Sequence, residues 1–485
     1  MSTKAKENEK SKRGHRYQRN WFRHIGIVLF SGAVCIFSCV ATISMAAPEN
    51  PEIEAMMEEK KAGEQEVLSE TDPAPSSGSK NYEALMVKDE KSSIPLIVID
   101  PGHGGEDDGC LGDGVFEKDI NLQIALLVKE RLEEKGFRVM LPRETDEYLA
   151  KEERVELANS YQADAYISIH QNTYEGSDKS VSGIETWYDG SDNTRDNQRL
   201  ASLIHKETIK STGANERELW PIADFCVTGK TLMPACLIET GFLSNPEECK
   251  RLTDKEYQNK VAEGIAQGVD LYFHPKTMYL TFDDGPSKEY TEQILDVLKE
   301  KDVKATFFLI GEYVEKYPQV AKRIADEGHT IGIHCYRHDY DILYESVESY
   351  LEDFWKAYDA VLVATGVEAE LFRFPGGSVN AYNKDTCADI VKEMTAQGFI
   401  YFDWNASLDD TVKNPGPAQI LANAAASTLD RKKVVMLAHD RVENTALCLG
   451  DLIDQFPEYQ IKPLNAKIEP VHFRLPAHPG ANSEN

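Results

Sequence analysis

Short apolar runs alternate with longer stretches of helical spacing from Leu96 onwards. The run Leu96–Asp100 (LIVID) ends in Pro-Gly, which predicts a buried strand that leads into a loop. Between Asp119 and Lys135 the apolar residues recur at helical spacing until Gly136, which predicts a helix. The later short apolar runs that we predict to be strands are FRVML, AYISIH, GIETWY and ACLIET. This alternation predicts an α/β fold, with a parallel or mixed sheet covered by helices.

The pattern stops and restarts near residue 275. A last helix is predicted around Tyr257–Tyr272, His274 and Pro275 follow it, and a new apolar run, MYLTF, begins at Met278. A chain of 485 residues is long enough for two or three domains. We therefore predict two α/β domains, over residues 94–274 and 275–485.

The first 93 residues differ from the rest of the chain in charge and composition. Residues 1–24 are strongly basic, Ile25–Ala47 contains no charged residue, and residues 48–93 are rich in Glu, Lys, Ser and Pro. An apolar stretch of about 20 residues is long enough to cross a bilayer, and a basic flank stays in the cytoplasm. We predict a basic cytoplasmic head, a transmembrane helix and a disordered linker, so that both domains lie outside the cell membrane. The apolar segment is either a retained anchor or a cleaved signal that releases a secreted protein.

The composition of the chain argues against one class of partner and predicts whether the cysteines form disulfides. The formal net charge is -29, which argues against nucleic acid because phosphate binding needs clustered Lys and Arg. Of nine cysteines, Cys35 and Cys39 lie in the apolar segment, which leaves an odd number outside it. No CxxC pair occurs, so we expect mostly buried free thiols.

The residues of a first candidate metal site lie at strand ends or in adjoining loops. His103 lies in the glycine-rich loop IDPGHGG, Glu117 precedes a predicted helix, and His170 ends the strand AYISIH. Two imidazoles, one carboxylate and an open fourth position describe a catalytic zinc site. Glu239 ends the strand ACLIET at what we expect to be the same sheet edge, where a second carboxylate can act as a base.

These stretches resemble the zinc-dependent N-acetylmuramoyl-L-alanine amidases of the amidase_3 type over roughly residues 94–274. The resemblance implies that His103, Glu117 and His170 bind Zn²⁺ and that Glu239 is the catalytic acid/base. It also implies cleavage of the amide between muramic acid and L-alanine. Gln171 and Gly229 stand where the family often has Ala and Arg.

A second candidate metal site follows the restart. Asp283 and Asp284 lie where a strand meets a Gly-Pro turn, and His334 and His338 are four residues apart, which favours one face of a helical turn. One Asp and two His form an open site for a divalent metal. Arg373 can hold a carboxylate ionised, and His439, at the end of an apolar strand, can give a proton to a leaving amine.

These residues resemble the polysaccharide deacetylases with a NodB homology domain, carbohydrate esterase family 4. The resemblance implies a distorted (β/α) barrel, with Asp283 as base, Asp284, His334 and His338 on Zn²⁺ or another divalent metal, and His439 as general acid. It implies that Arg373 orients Asp283. Substrate-binding positions implied in the same way are Gly376, Asp403, Trp404 and Leu437. The chain departs from the family pattern at Cys335, Gly376 and Ile400.

Together the two resemblances predict a bifunctional enzyme that acts on the glycan strands and stem peptides of peptidoglycan. Their covalent linkage favours action on the same strands, with one product a better substrate for the other site. Two alternatives stay open at this point. In the first, the second domain is a pseudoenzyme that only binds glycan. In the second, it deacetylates a non-wall polymer such as chitin or acetylxylan.

Overall fold

The computed structural model describes residues 93–223 and 225–474, which form an α/β structure on two large sheets. The predicted basic head, the predicted transmembrane helix and all but the last residue of the predicted linker lie outside the described residues. Within the described ranges, no helix combines the length and apolar character needed to cross a membrane.

The elements before residue 275 follow the predicted alternation. The strands are β1 (Leu96–Pro101), β2 (Leu111–Gly112), β3 (Val115–Phe116), β4 (Arg138–Met140), β5 (Ala165–Asn172), β6 (Ile184–Tyr188), β7 (Glu216–Pro221) and β8 (Ala235–Phe242). The helices are α1 (Glu117–Glu134), α2 (Lys151–Ser160), α3 (Asn197–Thr212), α4 (Cys226–Gly229), α5 (Pro246–Leu252) and α6 (Lys255–Phe273).

The first large sheet has the strand order β4-β1-β5-β8-β6-β7. Its neighbours are parallel except for β6 and β8, so the predicted mixed sheet is confirmed. The strands β1, β5 and β8 are central and almost wholly buried, which explains their continuous apolar runs. Because β1 and β5 are parallel neighbours, their carboxyl ends meet at one edge, where the loop after β1 begins.

Two helices pack closely against this sheet for reasons visible in the sequence. Helix α1 buries Ile120, Ile124, Val128 and Leu132, which recur at helical spacing. Helix α6 is capped by Asp254, whose side chain accepts from two backbone N–H groups of the first turn. A Cβ atom at Gly264 or Gly268 of α6 would clash with the backbone of α3, so these glycines allow the close approach of the two helices.

The elements after residue 275 form the second region. The strands are β9 (Lys276–Asp283), β10 (Thr306–Ile310), β11 (Thr330–Cys335), β12 (Leu371–Phe372), β13 (Ile400–Tyr401), β14 (Ala406–Ser407), β15 (Lys433–His439) and β16 (Tyr459–Ile461). The helices are α7 (Tyr290–Glu300), α8 (Gly311–Lys316), α9 (Pro318–Asp326), α10 (Tyr340–Leu343), α11 (Val347–Thr365), α12 (Cys387–Ala396), α13 (Pro417–Thr428) and α14 (Glu443–Asp454).

The second large sheet has the order β13-β12-β11-β10-β9-β15-β14, with β16 paired to β9. Every pairing in it is parallel, as expected for repeated strand–helix units. Among the described residues, no pairing joins β13 to β14, so the curved sheet is an incomplete barrel. The catalytic candidates Asp283 and His439 end β9 and β15, which places them at the carboxyl edge, as in complete barrels of this kind.

A short, packed connection joins the two regions. Only His274 and Pro275 separate α6 from β9, and the rings of Phe273 and His274 contact Phe137, which is buried in the first region. Arg199 of α3 donates to the carbonyl oxygen of Pro457 at 3.0 Å. Lys206, also on α3, pairs with Glu458 at 3.0 Å.

The cysteines of the described region are all free, as predicted. Cys236, Cys249, Cys335, Cys387 and Cys448 are buried, whereas Cys110 and Cys226 are partly exposed.

Two candidate metal sites

The first site brings together the three predicted ligands from a loop, a helix and a strand. His103 lies in the loop after β1, Glu117 is the first residue of α1, and His170 lies in β5. The Oε1 atom of Glu117 is 3.3 Å from Nε2 of His103 and 2.9 Å from Nδ1 of His170. Two ligands bound about 2.1 Å from a tetrahedral metal ion lie about 3.4 Å apart, so this donor set fits a zinc ion.

Hydrogen bonds hold these side chains in position. Asp107 accepts a hydrogen bond from the Nδ1–H of His103 at 2.8 Å, which leaves Nε2 of His103 on the side of Glu117. Glu117 accepts from the backbone N–H groups of Cys110 at 2.9 Å and Gln171 at 3.0 Å. Such outer contacts orient metal ligands and tune their basicity. Sequence reasoning missed Asp107, although an acid four residues after the histidine in the same loop was visible.

The charged side chains of this site shift one another's pKa values. Burial opposes the charged form of His103, but Glu117 and Asp107 raise its pKa to about 10. Burial also opposes ionisation of Glu117, yet the two histidines hold its pKa well below the usual range. A metal ion must displace the proton from His103, so metal affinity increases with pH.

Glu239 lies beside the triad, as predicted. It is the strand partner of His170 in the β5–β8 pair and is almost fully buried. On the other side, the antiparallel strand β6 places Glu185 opposite Glu239. Arg217 pairs with Glu185 at 2.6 Å, so a cation balances the charge of this second carboxylate.

Two buried arginines that sequence reasoning missed hold the loop of His103. Arg154 of α2 pairs with Asp100 at 2.7 Å and donates to the carbonyl oxygen of His103 at 2.8 Å. Arg143 donates to the carbonyl oxygens of Pro101 and Gly102. The backbone around His103 is therefore fixed by these two cations.

The second site is built at the carboxyl edge of β9 and β11. Asp284 follows β9 with a positive φ of 77°, His334 lies within β11, and His338 lies in the loop after it. The expectation that the two histidines share a helical turn is wrong, because β11 ends at Cys335 and the chain then bends back. The imidazole rings nevertheless lie 5.4 Å apart.

The donor atoms of this site fit a metal ion. Oδ1 of Asp284 is 3.4 Å from Nε2 of His334 and 3.6 Å from Nε2 of His338. These separations are longer than hydrogen bonds and match the edges of a tetrahedral coordination sphere. The same oxygen is buried without a hydrogen-bond partner among the described residues. A bound cation would coordinate it and so compensate for its burial. Burial opposes ionisation of Asp284, but the adjacent imidazoles lower its pKa.

Asp283 lies next to this triad and is held by Arg373, as predicted. The Arg373 guanidinium is fully buried and donates from one nitrogen to Oδ1 of Asp283 at 2.9 Å and to Thr281 at 2.7 Å. Its plane covers the ring of Phe308. The arginine therefore fixes Asp283 in one orientation.

His439 stands opposite Asp283, and a buried acid that sequence reasoning missed holds it. His439 and Asp283 are strand partners in the β9–β15 pair. Asp410 is 2.7 Å from Nδ1 of His439 and also accepts from its backbone N–H. Burial lowers the pKa of His439, but Asp410 and the two nearby aspartates raise it to about 9. At neutral pH His439 is protonated and able to act as an acid.

The four predicted substrate-binding residues differ in how deeply they are buried. Gly376 has a φ of 72° and its N–H donates to no other described residue, so it is free to donate to a ligand. Trp404 is partly exposed, and Leu437 is 8% exposed in β15. Asp403 is fully buried and accepts from Ser378 and from the Phe473 backbone, so it supports the loop of Gly376 from beneath.

Comparison with known proteins gives both halves a match. Residues 97–270 match the family model of N-acetylmuramoyl-L-alanine amidases, and residues 271–399 match that of polysaccharide deacetylases. The germination-specific N-acetylmuramoyl-L-alanine amidase of Bacillus subtilis is 36% identical, over 38% of this chain and 84% of that protein. The putative polysaccharide deacetylase YheN of Bacillus subtilis is 35% identical, over 41% of this chain and 70% of that protein. The peptidoglycan-N-acetylglucosamine deacetylase of Bacillus cereus is 35% identical, over 38% of this chain and 66% of that protein.

Proposed function

Because the chain belongs both to the N-acetylmuramoyl-L-alanine amidase family and to the polysaccharide deacetylase family, we propose that it modifies peptidoglycan twice. The first domain hydrolyses the amide between N-acetylmuramic acid and L-alanine, with Zn²⁺ held by His103, Glu117 and His170. The second domain removes acetate from an amino sugar of the same glycan, with Zn²⁺ or another divalent metal held by Asp284, His334 and His338.

One observation carries this proposal: each region assembles three metal-ligand atoms with a further acidic side chain on a neighbouring strand position. The candidate ligands are the two clusters that the described residues offer for an ion. Glu239 is paired in register with His170, and Asp283 immediately precedes Asp284. The relative that is named for peptidoglycan supports the wall as substrate of the second domain.

In the amidase domain, a bound metal ion supplies Lewis acidity and lowers the pKa of water. Glu239 accepts the proton of the attacking water and returns it to the leaving L-alanine nitrogen. Asp107 fixes the ring of His103, and Arg154 fixes the backbone that carries it. The groups that the chain itself contributes are therefore a proton shuttle and a rigid ligand frame.

In the deacetylase domain, two different residues handle the proton. Asp283, oriented by Arg373, takes the proton from water as the general base. His439, kept protonated by Asp410, gives a proton to the amine that leaves the sugar. The free N–H of Gly376 is placed to donate to the acetyl oxygen as negative charge develops there.

Muropeptide analysis by mass spectrometry tests both assignments in the full chain. The isosteric variants Glu239→Gln and Asp283→Asn are each compared with the parent protein on the same purified wall. We expect Glu239→Gln to stop release of stem peptides and keep acetate release, and Asp283→Asn to do the reverse. Loss of both products in either variant, with the fold intact by circular dichroism, would contradict two independent sites.

The same assay separates the two alternatives for the second domain. A pseudoenzyme would release no acetate from any substrate while still binding glycan. An enzyme for another polymer would release acetate faster from chitin or acetylxylan than from wall strands. Arg373, Asp283 and His439 are all in contact or in register, which supports an active site rather than a binding module.

For localisation we propose that the basic head and the apolar segment Ile25–Ala47 tether both domains outside the cell membrane. Fractionation of cells that express the full chain, followed by protease treatment of intact protoplasts, tests this. We expect both domains to be membrane-bound and protease-accessible. Protection of the domains from protease would contradict the proposed orientation.

A further inference from the structure

A cavity of about 560 Å³ lies at the rim of the deacetylase site and has no part in the mechanism above. It is lined by Ser287, Lys288, Glu289, Tyr290, Tyr317 and Arg441. Two of the three segments that line it follow directly from proposed catalytic or metal-binding positions. Ser287 is three residues after Asp284, and Arg441 is two residues after His439. Two residues of extended chain span at most about 7 Å, so the cavity is within reach of a sugar bound at the metal.

The charge of this cavity is unusual for so acidic a chain. Its lining contains two cations, Lys288 and Arg441, and one carboxylate, Glu289. Among the described residues, neither cation has an acid within ion-pair distance. By contrast, buried or half-buried arginines elsewhere, such as Arg195 and Arg323, are paired with aspartates at 2.6 Å. Unpaired cations at the edge of a cleft are available for an anion from outside.

Arg441 is also held in a geometry that suits a carboxylate. Its guanidinium stacks on the ring of Tyr313, 3.9 Å from the ring centre. Stacking fixes the plane of the guanidinium and leaves the N–H groups at its edge free, since this side chain makes no hydrogen bond within the described region. An arginine oriented in this way is prepared for the two-pronged recognition of a carboxylate.

We propose that this cavity binds a carboxylate of the wall polymer and so selects the sugar that is deacetylated; the inference rests on the proposed deacetylation. Two carboxylate sources share this chemistry. One is the lactyl carboxylate of muramic acid, which the amidase reaction sets free on the carbon next to the acetamido group. The other is a carboxylate of an attached stem peptide. A neutral N-acetylglucosamine residue offers neither.

The test uses the full chain with Glu239→Gln and Asp283→Asn, so that neither bond is cleaved during binding. The probes are peptide-free glycan fragments with free lactyl carboxylates, the same fragments converted to lactyl methylamides, and peptide-bearing fragments. Calorimetry should show the free acid binding about tenfold more tightly than the amide, the effect of one charge-assisted contact. Tighter binding of the peptide-bearing fragment than of the amide would assign the stem peptide as a source.

Three further substitutions in this background decide whether the cavity is responsible. Arg441→Gln should abolish the preference for the acid, and Arg441→Lys should keep part of it, because charge remains while the two-pronged geometry is lost. Lys392→Gln removes an exposed cation from α12 and should keep the full preference. Equal binding of acid and amide, or a loss that Lys392→Gln shares, would overturn the subsite.

Acetate release by the parent chain on the same fragments separates the two ideas. No acetate release together with Arg441-dependent preference would overturn deacetylation and retain the carboxylate subsite. Acetate release with no preference for the acid would overturn the subsite and retain deacetylation.

Discussion

Each domain contains one fully buried Arg–Asp pair beneath its site, and the two pairs do different work. In the amidase domain, Arg154 pairs with Asp100 and donates to the backbone of the loop of His103. In the deacetylase domain, Arg373 holds Asp283, which is the proposed base itself. The same interaction thus stabilises backbone in one site and orients a reacting group in the other.

The difference follows from the backbone that carries each site, which is a loop in one domain and paired strands in the other. The ligand loop of the amidase site is rich in glycine, and His103 has a positive φ of 60°, so its backbone needs support from carbonyl-binding cations. The proposed catalytic residues Asp283 and His439 instead lie on paired parallel strands, whose backbone is already fixed. There the arginine is free to control a side chain. We therefore expect mutations of the two pairs to have separate consequences.

The largest effect is expected for Arg373→Met. The substitution leaves Asp283 buried without its cationic partner and frees its orientation. Loss of a positioned base reduces rates by about 10²- to 10⁴-fold, so we expect acetate release to fall by about 10³-fold. The measurement is acetate release per metal-loaded chain. Release of stem peptides serves as the internal control, and an equal fall in it would mean general unfolding.

Arg154→Met should act on metal retention more than on chemistry. Removing this arginine takes away a donor to the carbonyl oxygen of His103 and the cation that is paired with Asp100. Loss of an outer contact weakens metal binding by about 10- to 100-fold, and we expect this range for zinc in the amidase site. Competition with a chelator, followed by metal analysis of the full chain, measures it. An unchanged zinc affinity with normal acetate release would contradict the role given to this pair.

Asp410→Asn should change the pH dependence of deacetylation. The neighbouring acids raise the pKa of His439, so the proton donor is present below the raised pKa of about 9 and is lost as pH increases through it. A bound cation repels this proton and moves the alkaline limb of the pH–rate profile to lower pH. Without the Asp410 carboxylate the limb should move further down, by about one pH unit, which is about a tenfold loss of rate on the alkaline side. An unmoved limb would exclude Asp410 as the group that holds the proton.

The amino-acid sequence was sufficient to find the candidate metal-binding and catalytic residues, because motifs place them at or next to strand ends. LIVID, AYISIH and VVMLAHD are all strands in the structure, and the residues that follow or end them converge as predicted. The helical turn for His334 and His338 was wrong because a spacing of four also arises when a strand ends and the chain bends. Local spacing carries no information on that bend.

The supporting residues could not be predicted for a different reason. Arg154 lies in KEERVELANS, which has the composition of any solvated helix, and its partner Asp100 is 54 residues away. Asp410 approaches His439 from a loop 29 residues earlier. Both contacts depend on which strands are neighbours, and the strand order becomes known only from the three-dimensional arrangement of the sheet.

The smallest effect is expected at Cys335, where the deacetylase family usually has a serine or threonine. The thiol is 1% exposed at the end of β11, and burial raises its pKa far above neutrality, so it is an uncharged packing group. It lies next to His334 in sequence but belongs to the apolar core of this domain. Cys335→Ser should therefore change acetate release by about threefold or less, within the range of a volume-conserving exchange that adds one buried hydroxyl. A fall comparable to that of Arg373→Met, with metal content unchanged, would show that the residue at this position acts on the reacting groups and does not merely fill space.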